Sequence, residues 1–176
     1  EYKKIKNFFN CQNPNDPVAE FFYVMANLYS SEKNYEMSNF YLKLSLFLNK
    51  KFLTNNALLA ENYFYQKKYI ASKEIYESLK KTGSVYSWHA SKSIARILLI
   101  TEDQSKSIKS LENAFNLLVE NKFEHYYDLA NFYKDQNYYE ESIKYYSYAL
   151  EKTNNNHSMI SKILDRRGTS FERLGD

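Results

Sequence analysis

Along this chain a small residue is repeatedly followed by a large one three positions later and an aromatic six beyond that. Ala26, Tyr29 and Tyr35 make one set, Ala60, Tyr63 and Tyr69 a second, and Ala130, Tyr133 and Tyr139 a fourth. A degraded third set, Ala95, Leu98 and Gln104, stands between them. The alanines are 34, 35 and 35 residues apart, and Gly168 with Phe171 follows after 38. A fixed period of this length marks a repeated supersecondary unit, which buries its apolar face only by stacking on its neighbours.

Inside each unit the spacings are helical. Met25, Ala26 and Tyr29 fall at i, i+1 and i+4, as do Leu59, Ala60 and Tyr63, then Ile94, Ala95 and Leu98, then Leu129, Ala130 and Tyr133. A polar break follows, such as Ser31–Asn34 or Asp135–Asn137, and then a second amphipathic stretch. That stretch carries Ser38 and Leu42 in the first unit, Ser107, Leu111 and Ala114 in the third, and Ser142, Tyr146 and Ala149 in the fourth. In the second unit, a register with Ala71, Ile75 and Leu79 inward competes with one built on Ser72. Each unit reads as two antiparallel helices joined by a short turn. The small residues, including Gly168, mark close approach of helices. The serines Ser38, Ser72, Ser107 and Ser142 mark a second close approach, where a hydroxyl can bond back to its own helix.

The chain resembles the tetratricopeptide repeat family most closely over Tyr126–Leu150. The family's Trp, Leu, Gly, Tyr, Gly, Tyr, Ala, Phe and Ala positions fall there on Tyr126, Leu129, Ala130, Tyr133, Asn137, Tyr139, Ser142, Tyr146 and Ala149. The resemblance implies an all-α, right-handed α-solenoid of antiparallel helix pairs. It places four repeats at 19–52, 53–87, 88–122 and 123–160. Residues 1–18, with Ile5, Phe8 and Phe9, read as the second helix of a preceding repeat and a linker, stopped by Pro14 and Pro17. Residues 161–176 read as the first helix of a following repeat. Neither end resembles a polar cap, so the expectation is an interior piece of a longer bacterial tetratricopeptide protein. The family's closing proline is absent from every unit, and Arg167 stands where an aliphatic usually precedes Gly168.

Composition agrees with an all-helical chain. Among 176 residues there are only 3 Gly and 2 Pro, too few for the many tight turns of a sandwich or barrel. The 24 basic and 21 acidic residues give +3 without a basic stripe, which argues against nucleic acid as a partner. No apolar run approaches the roughly 18 residues of a membrane span, so no membrane insertion is expected. Compartment stays open between cytoplasm and bacterial periplasm, because similar repeats occur in exported bacterial proteins.

No catalytic constellation is visible. His89, His125 and His157 lie too far apart for a shared helical metal face, Cys11 has no nearby His, and three glycines cannot build a phosphate loop. No metal, no cofactor and no enzymatic activity are expected. What the resemblance does imply is a binding surface, because the family's first helices line the inside of the superhelix. Transferred by position, the groove falls on Tyr23, Asn27 and Ser31, then Ala57, Glu61, Phe64 and Tyr65. It continues on His89, Lys92 and Arg96, then Tyr127, Asp128, Asn131 and Lys134. Rings set between charged and hydrogen-bonding groups suit an extended peptide or protein partner.

The family's clamp for a chaperone's terminal carboxylate is not matched. Asn27 agrees, but Tyr23, Leu58, His89 and Ser93 stand at its other positions. Lys92 and Arg96, one turn apart, instead suit an acidic side chain of a ligand. The expectation is therefore a non-catalytic protein–protein interaction scaffold with a concave peptide groove. The alternative is a recruiting arm of a larger enzyme, and end-to-end self-association through the terminal helices is a further partner mode.

Overall fold

A computed structural model describes Asn10, residues 12–154 and residues 158–175, with Ser84 as backbone only. The sequence readings for residues 1–9, Cys11 and His157 lie outside the described residues. Among those described there are nine helices and no strand: α1 (Asn15–Ser31), α2 (Tyr35–Leu48), α3 (Leu53–Tyr65), α4 (Tyr69–Leu79), α5 (Ser84–Thr101), α6 (Gln104–Asn116), α7 (Phe123–Asp135), α8 (Tyr139–Glu151) and α9 (Ile160–Leu174). The chain is an all-α helical repeat. It divides inside α5 into two compact units, one ending at Ile97 and the other beginning at Leu98.

Three of the within-pair turns are built alike. Lys33, Lys67 and Asn137 take positive φ values of 61°, 60° and 65°. Just past each, an amide reaches back to close the helix: Asn34 N–H to the Tyr29 carbonyl at 2.9 Å, Lys68 to Tyr63 at 2.8 Å, Tyr138 to Tyr133 at 3.0 Å. These are the motif's glycine positions, filled here twice by Lys, which resists the left-handed region, and once by Asn, which tolerates it better. In the third pair Asp103 makes the turn differently, its side chain capping α6 by accepting from the Lys106 amide at 2.7 Å.

In the first unit, α1 and α2 run antiparallel. Near the turn Tyr29 stacks on Tyr41 at 5.4 Å, and at the far end the Ser45 hydroxyl donates to the Ala19 carbonyl at 2.5 Å. Ala26, Leu42 and Leu59 form a core there, flanked by Tyr23, Tyr63 and Ile75. The seam between α1–α2 and α3 is polar. Fully buried Asn62 donates to Ser38 Oγ at 2.7 Å and to Asn39 Oδ1 at 2.9 Å, and accepts from Ser30 Oγ at 2.7 Å. Asn55, also fully buried, donates to Ser45 Oγ at 2.8 Å.

In the second unit, Tyr127, Ala130, Tyr146, Ala149 and Ile163 form the core. Tyr133 stacks on Tyr145 at 5.4 Å, and its phenol donates to Glu112 Oε1 on α6. The Ser142 and Ser170 hydroxyls meet at 2.8 Å between α8 and α9.

Several expectations change. Pro14 precedes α1 and Pro17 sits in its first turn, where a missing N–H leaves no helical bond unmade; both prolines open a helix. Helices α1 and α5 begin at Asn15 and Ser84, four residues ahead of the repeat starts read from the sequence. Buried Asp16 anchors the first of these starts, accepting from the Asn10 amide at 2.7 Å and the Asn13 side chain at 3.1 Å. Gly168 is not a close-approach point: it is exposed, and a Cβ there would meet nothing within 4 Å. In α4, Ser72 and Tyr76 turn fully inward with Leu79, while Ala71 stays partly exposed. The serines do not simply bond within their own helices, since Ser72 donates across to the Ala60 carbonyl at 2.7 Å. Arg167 replaces lost apolar packing with a bond, donating to Ser147 Oγ at 3.1 Å.

Candidate functional site

Six of the positions named from the sequence lie on α3 and α5 in the first unit, and three of them, Phe64, Tyr65 and Arg96, are in contact. Glu61, Phe64 and Tyr65 occupy the C-terminal half of α3, where helical spacing turns Glu61 and Tyr65 to one side. His89, Lys92 and Arg96 fall at i, i+3 and i+7 on α5 and so share a face. The two sets meet at Arg96, whose guanidinium carbon lies 4.0 Å above the Phe64 ring and 6.0 Å from that of Tyr65. Tyr65 is half exposed and stacks at 5.6 Å on Tyr35, and Tyr69 meets Phe64 edge-on at 5.6 Å. A surface depression of about 500 Å³ opens beside Tyr35 among Glu32, Lys33, Glu36 and Gln66.

Beneath this face lies Tyr76, a residue the sequence reading did not single out. It is 2% exposed and its ring meets His89 at 5.9 Å. Burial pushes its phenol above the usual range; a hydrogen bond with Ser93 opposes this, Glu61 adds to it and Arg96 reduces it. One signal pointed there: Tyr76 lies 70 residues before Tyr146, which was placed at the motif's Phe position. The competing register in the second repeat hid it.

Other named positions are engaged elsewhere. Tyr23 packs on Phe52 at 5.1 Å beside the core, and the Asn27 amide donates to the Tyr23 carbonyl at 2.8 Å. In the second unit Tyr127 is corrected from groove to core. It is 9% exposed, covered by Tyr146 at 5.9 Å and by the Ile163 cluster. Asn131 also turns toward that core, its Oδ1 accepting from the Tyr146 phenol at 2.7 Å.

Among the described residues, no group of three or more His, Cys, Asp or Glu could hold a metal ion, and no helix is long and apolar enough to cross a membrane. Helix pairs, matched turns and the recurrent small–aromatic skeleton together define a tetratricopeptide-type fold. Solved structures, two of them described as TPR or TPR-like, are similar to this chain. BtubC (BKLC) from P. vanneervenii superposes with TM-score 0.68 at 17% identity, over 89% of this chain and 73% of that one. The nearly identical TPR-like repeats of a Podosopora anserina kinesin light chain give 0.63 at 13%, over 89% and 86%. YrrB, described as a TPR protein with an unusual peptide-binding site, gives 0.51 at 17%, over 99% and 83%. No family model and no curated protein matches the sequence. At these identities the likeness is one of fold.

Proposed function

We propose that this chain is a non-catalytic protein-interaction module. Its face on α3 and α5 takes an extended peptide carrying an acidic side chain beside apolar ones. The observation that carries this reading is the exposed Arg96 guanidinium lying over Phe64 at 4.0 Å. An aromatic ring beneath a guanidinium fixes its plane, leaving the N–H edge to meet a carboxylate in a bidentate geometry. Tyr65 and Tyr35 supply an apolar, stacking floor next to that charge. Glu61, one turn before Tyr65, adds a charge of opposite sign that favours a ligand donor at that point. The peptide-binding site described for YrrB, a neighbour in fold, belongs to the same ligand class.

The test is to pan a displayed random-peptide library on the intact chain and measure the enriched peptides by fluorescence anisotropy. Enrichment of Asp or Glu is expected. Arg96→Gln and Tyr65→Ala should each weaken binding at least tenfold without loss of helical circular dichroism. Peptides without acidic residues, or equal binding by both variants, would remove this face from consideration.

A further inference from the structure

The outer face of α2 carries an apolar stripe that the second helices of later repeats lack. Met37, Phe40, Leu44 and Phe47 fall at i, i+3, i+7 and i+10 and so stand in one file along the helix. Met37, Phe40 and Phe47 are 37%, 53% and 80% exposed. The opposite face of α2 is already used, since Ser38, Leu42 and Ser45 are fully buried against α1 and α3.

This stripe is not a seam between repeats. Counted from the recurrent alanines, the positions of Phe40 and Phe47 are Glu74 and Lys81 in the second repeat, Lys109 and Asn116 in the third, and Lys144 and Glu151 in the fourth. All six are exposed, so stacking of helix pairs leaves these positions to solvent. An apolar file at solvent positions marks a contact with another molecule.

Spacing and charge say of what kind. Steps of three and four residues average 3.5, the period of a seam between two helices lying side by side; a helix resting on a membrane carries a broader apolar face. The file runs about 15 Å at roughly 1.5 Å per residue, close to three helical turns. Its rings are braced from behind: Phe40 meets Tyr41 edge-on at 5.4 Å, and Tyr41 stacks on Tyr29 of α1 at 5.4 Å. Anchors held in this way lose little side-chain freedom on contact. Between Glu36 and Glu61 the chain has no acidic residue, while Lys43, Lys50 and Lys51 stand beside and just past the stripe. All three are exposed, and none forms an ion pair among the described residues. Glu36, at the N-terminal end, is the single opposing charge on α2.

We propose that the outer face of α2 is a docking site for an amphipathic helix of another protein, one with apolar residues at the same three-and-four spacing and acidic residues along its flank. Met37, Phe40, Leu44 and Phe47 supply the apolar contact, and Lys43, Lys50 and Lys51 select the acidic flank. This face shares no residue with the one around Arg96, and neither reading depends on the other.

Two labelled peptides of three heptads each test this, both with leucine at the a and d positions and differing only in flanks of glutamate or of lysine. Fluorescence anisotropy with the intact chain is expected to show the glutamate peptide binding at least tenfold more tightly. Phe40→Lys with Phe47→Glu, the residue types of the fourth repeat, should abolish that binding with helical circular dichroism unchanged. Lys43→Glu with Lys50→Glu should reverse the preference between the peptides. No binding, equal binding of both peptides, or binding that survives the phenylalanine changes would overturn the proposal. So would dimerisation of the native chain that those changes remove, which gives the face to a second copy. Co-sedimentation with phosphatidylserine vesicles in place of peptide binding would overturn it too, in favour of a membrane.

Discussion

The first helix pair and the fourth are the same device, 104 residues apart, used in two settings. Tyr29 on Tyr41 and Tyr133 on Tyr145 both stack at 5.4 Å, with interplanar angles of 8° and 10°. Ala26 and Ala130 are both fully buried, and Lys33 and Asn137 make the same left-handed turn. The outward positions diverge. Phe40 and Phe47, 53% and 80% exposed, become Lys144 and Glu151. The stacked tyrosines differ too, since Tyr133 donates to Glu112 and Tyr29 has no such carboxylate among the described residues. Packing inside a pair is thus set by the repeat, while what each pair meets outside is set by its individual residues.

That contrast is open to experiment, and the seams should give the largest effects. Asn62→Ala would strip partners from Ser30, Ser38 and Asn39 together, so a loss of about 2–4 kcal/mol in denaturant unfolding is expected. Ser170→Ala, which removes one hydroxyl pair at a seam of the second unit, should lose only about 1 kcal/mol. Ala26→Leu and Ala130→Leu should each destabilise by about 1–3 kcal/mol through overpacking; unequal losses would show that the two pairs are not the same device.

The tyrosines separate the pairs more finely. Tyr133→Phe should lower stability by about 1–2 kcal/mol, whereas Tyr29→Phe should be near neutral. Burial first, and then the Glu112 carboxylate, hold the Tyr133 phenol above its ordinary value; burial does the same for Tyr145 and Tyr146. A raised phenol favours the neutral form in the folded state. Its stabilisation is whole below the ordinary tyrosine value of about 10 and is lost as pH rises through the higher folded-state values. A circular dichroism titration from about pH 9 upward should show the native chain losing stability more steeply than Tyr133→Phe. Parallel curves would refute the assignment. The smallest effects belong to the turns: Lys33→Gly and Lys67→Gly should each gain up to about 1 kcal/mol, and Asn137→Gly less, because Asn tolerates the left-handed region better.

Much of the fold was legible because helix packing leaves a periodic trace. Ala26, Ala60, Ala95 and Ala130 recur since each must let a partner helix approach, and all four are fully buried. Gly168 fits the same pattern on paper but faces open space, because spacing alone does not reveal whether a partner lies across from it. For the candidate face, the pattern put Phe64, Tyr65 and Arg96 into one reading, and the three side chains lie against one another, since residues on neighbouring first helices share a side. It misjudged Tyr127, which shares their periodicity but is covered by Tyr146 and the Ile163 cluster. Tyr76 escaped because two registers of α4 fit the hydrophobic pattern equally well, and only packing selects between them.

By itself, then, the sequence determined that this chain is a helix-pair repeat and that its four recurrent alanines are close contacts, because period and side-chain size are local properties of the chain. Tertiary structure decided which aromatic is buried and which exposed, why Asn62 is a seam rather than a surface amide, and that Arg96 lies over Phe64. Those outcomes depend on which element arrives opposite a residue, and that partner stands tens of positions away in the chain.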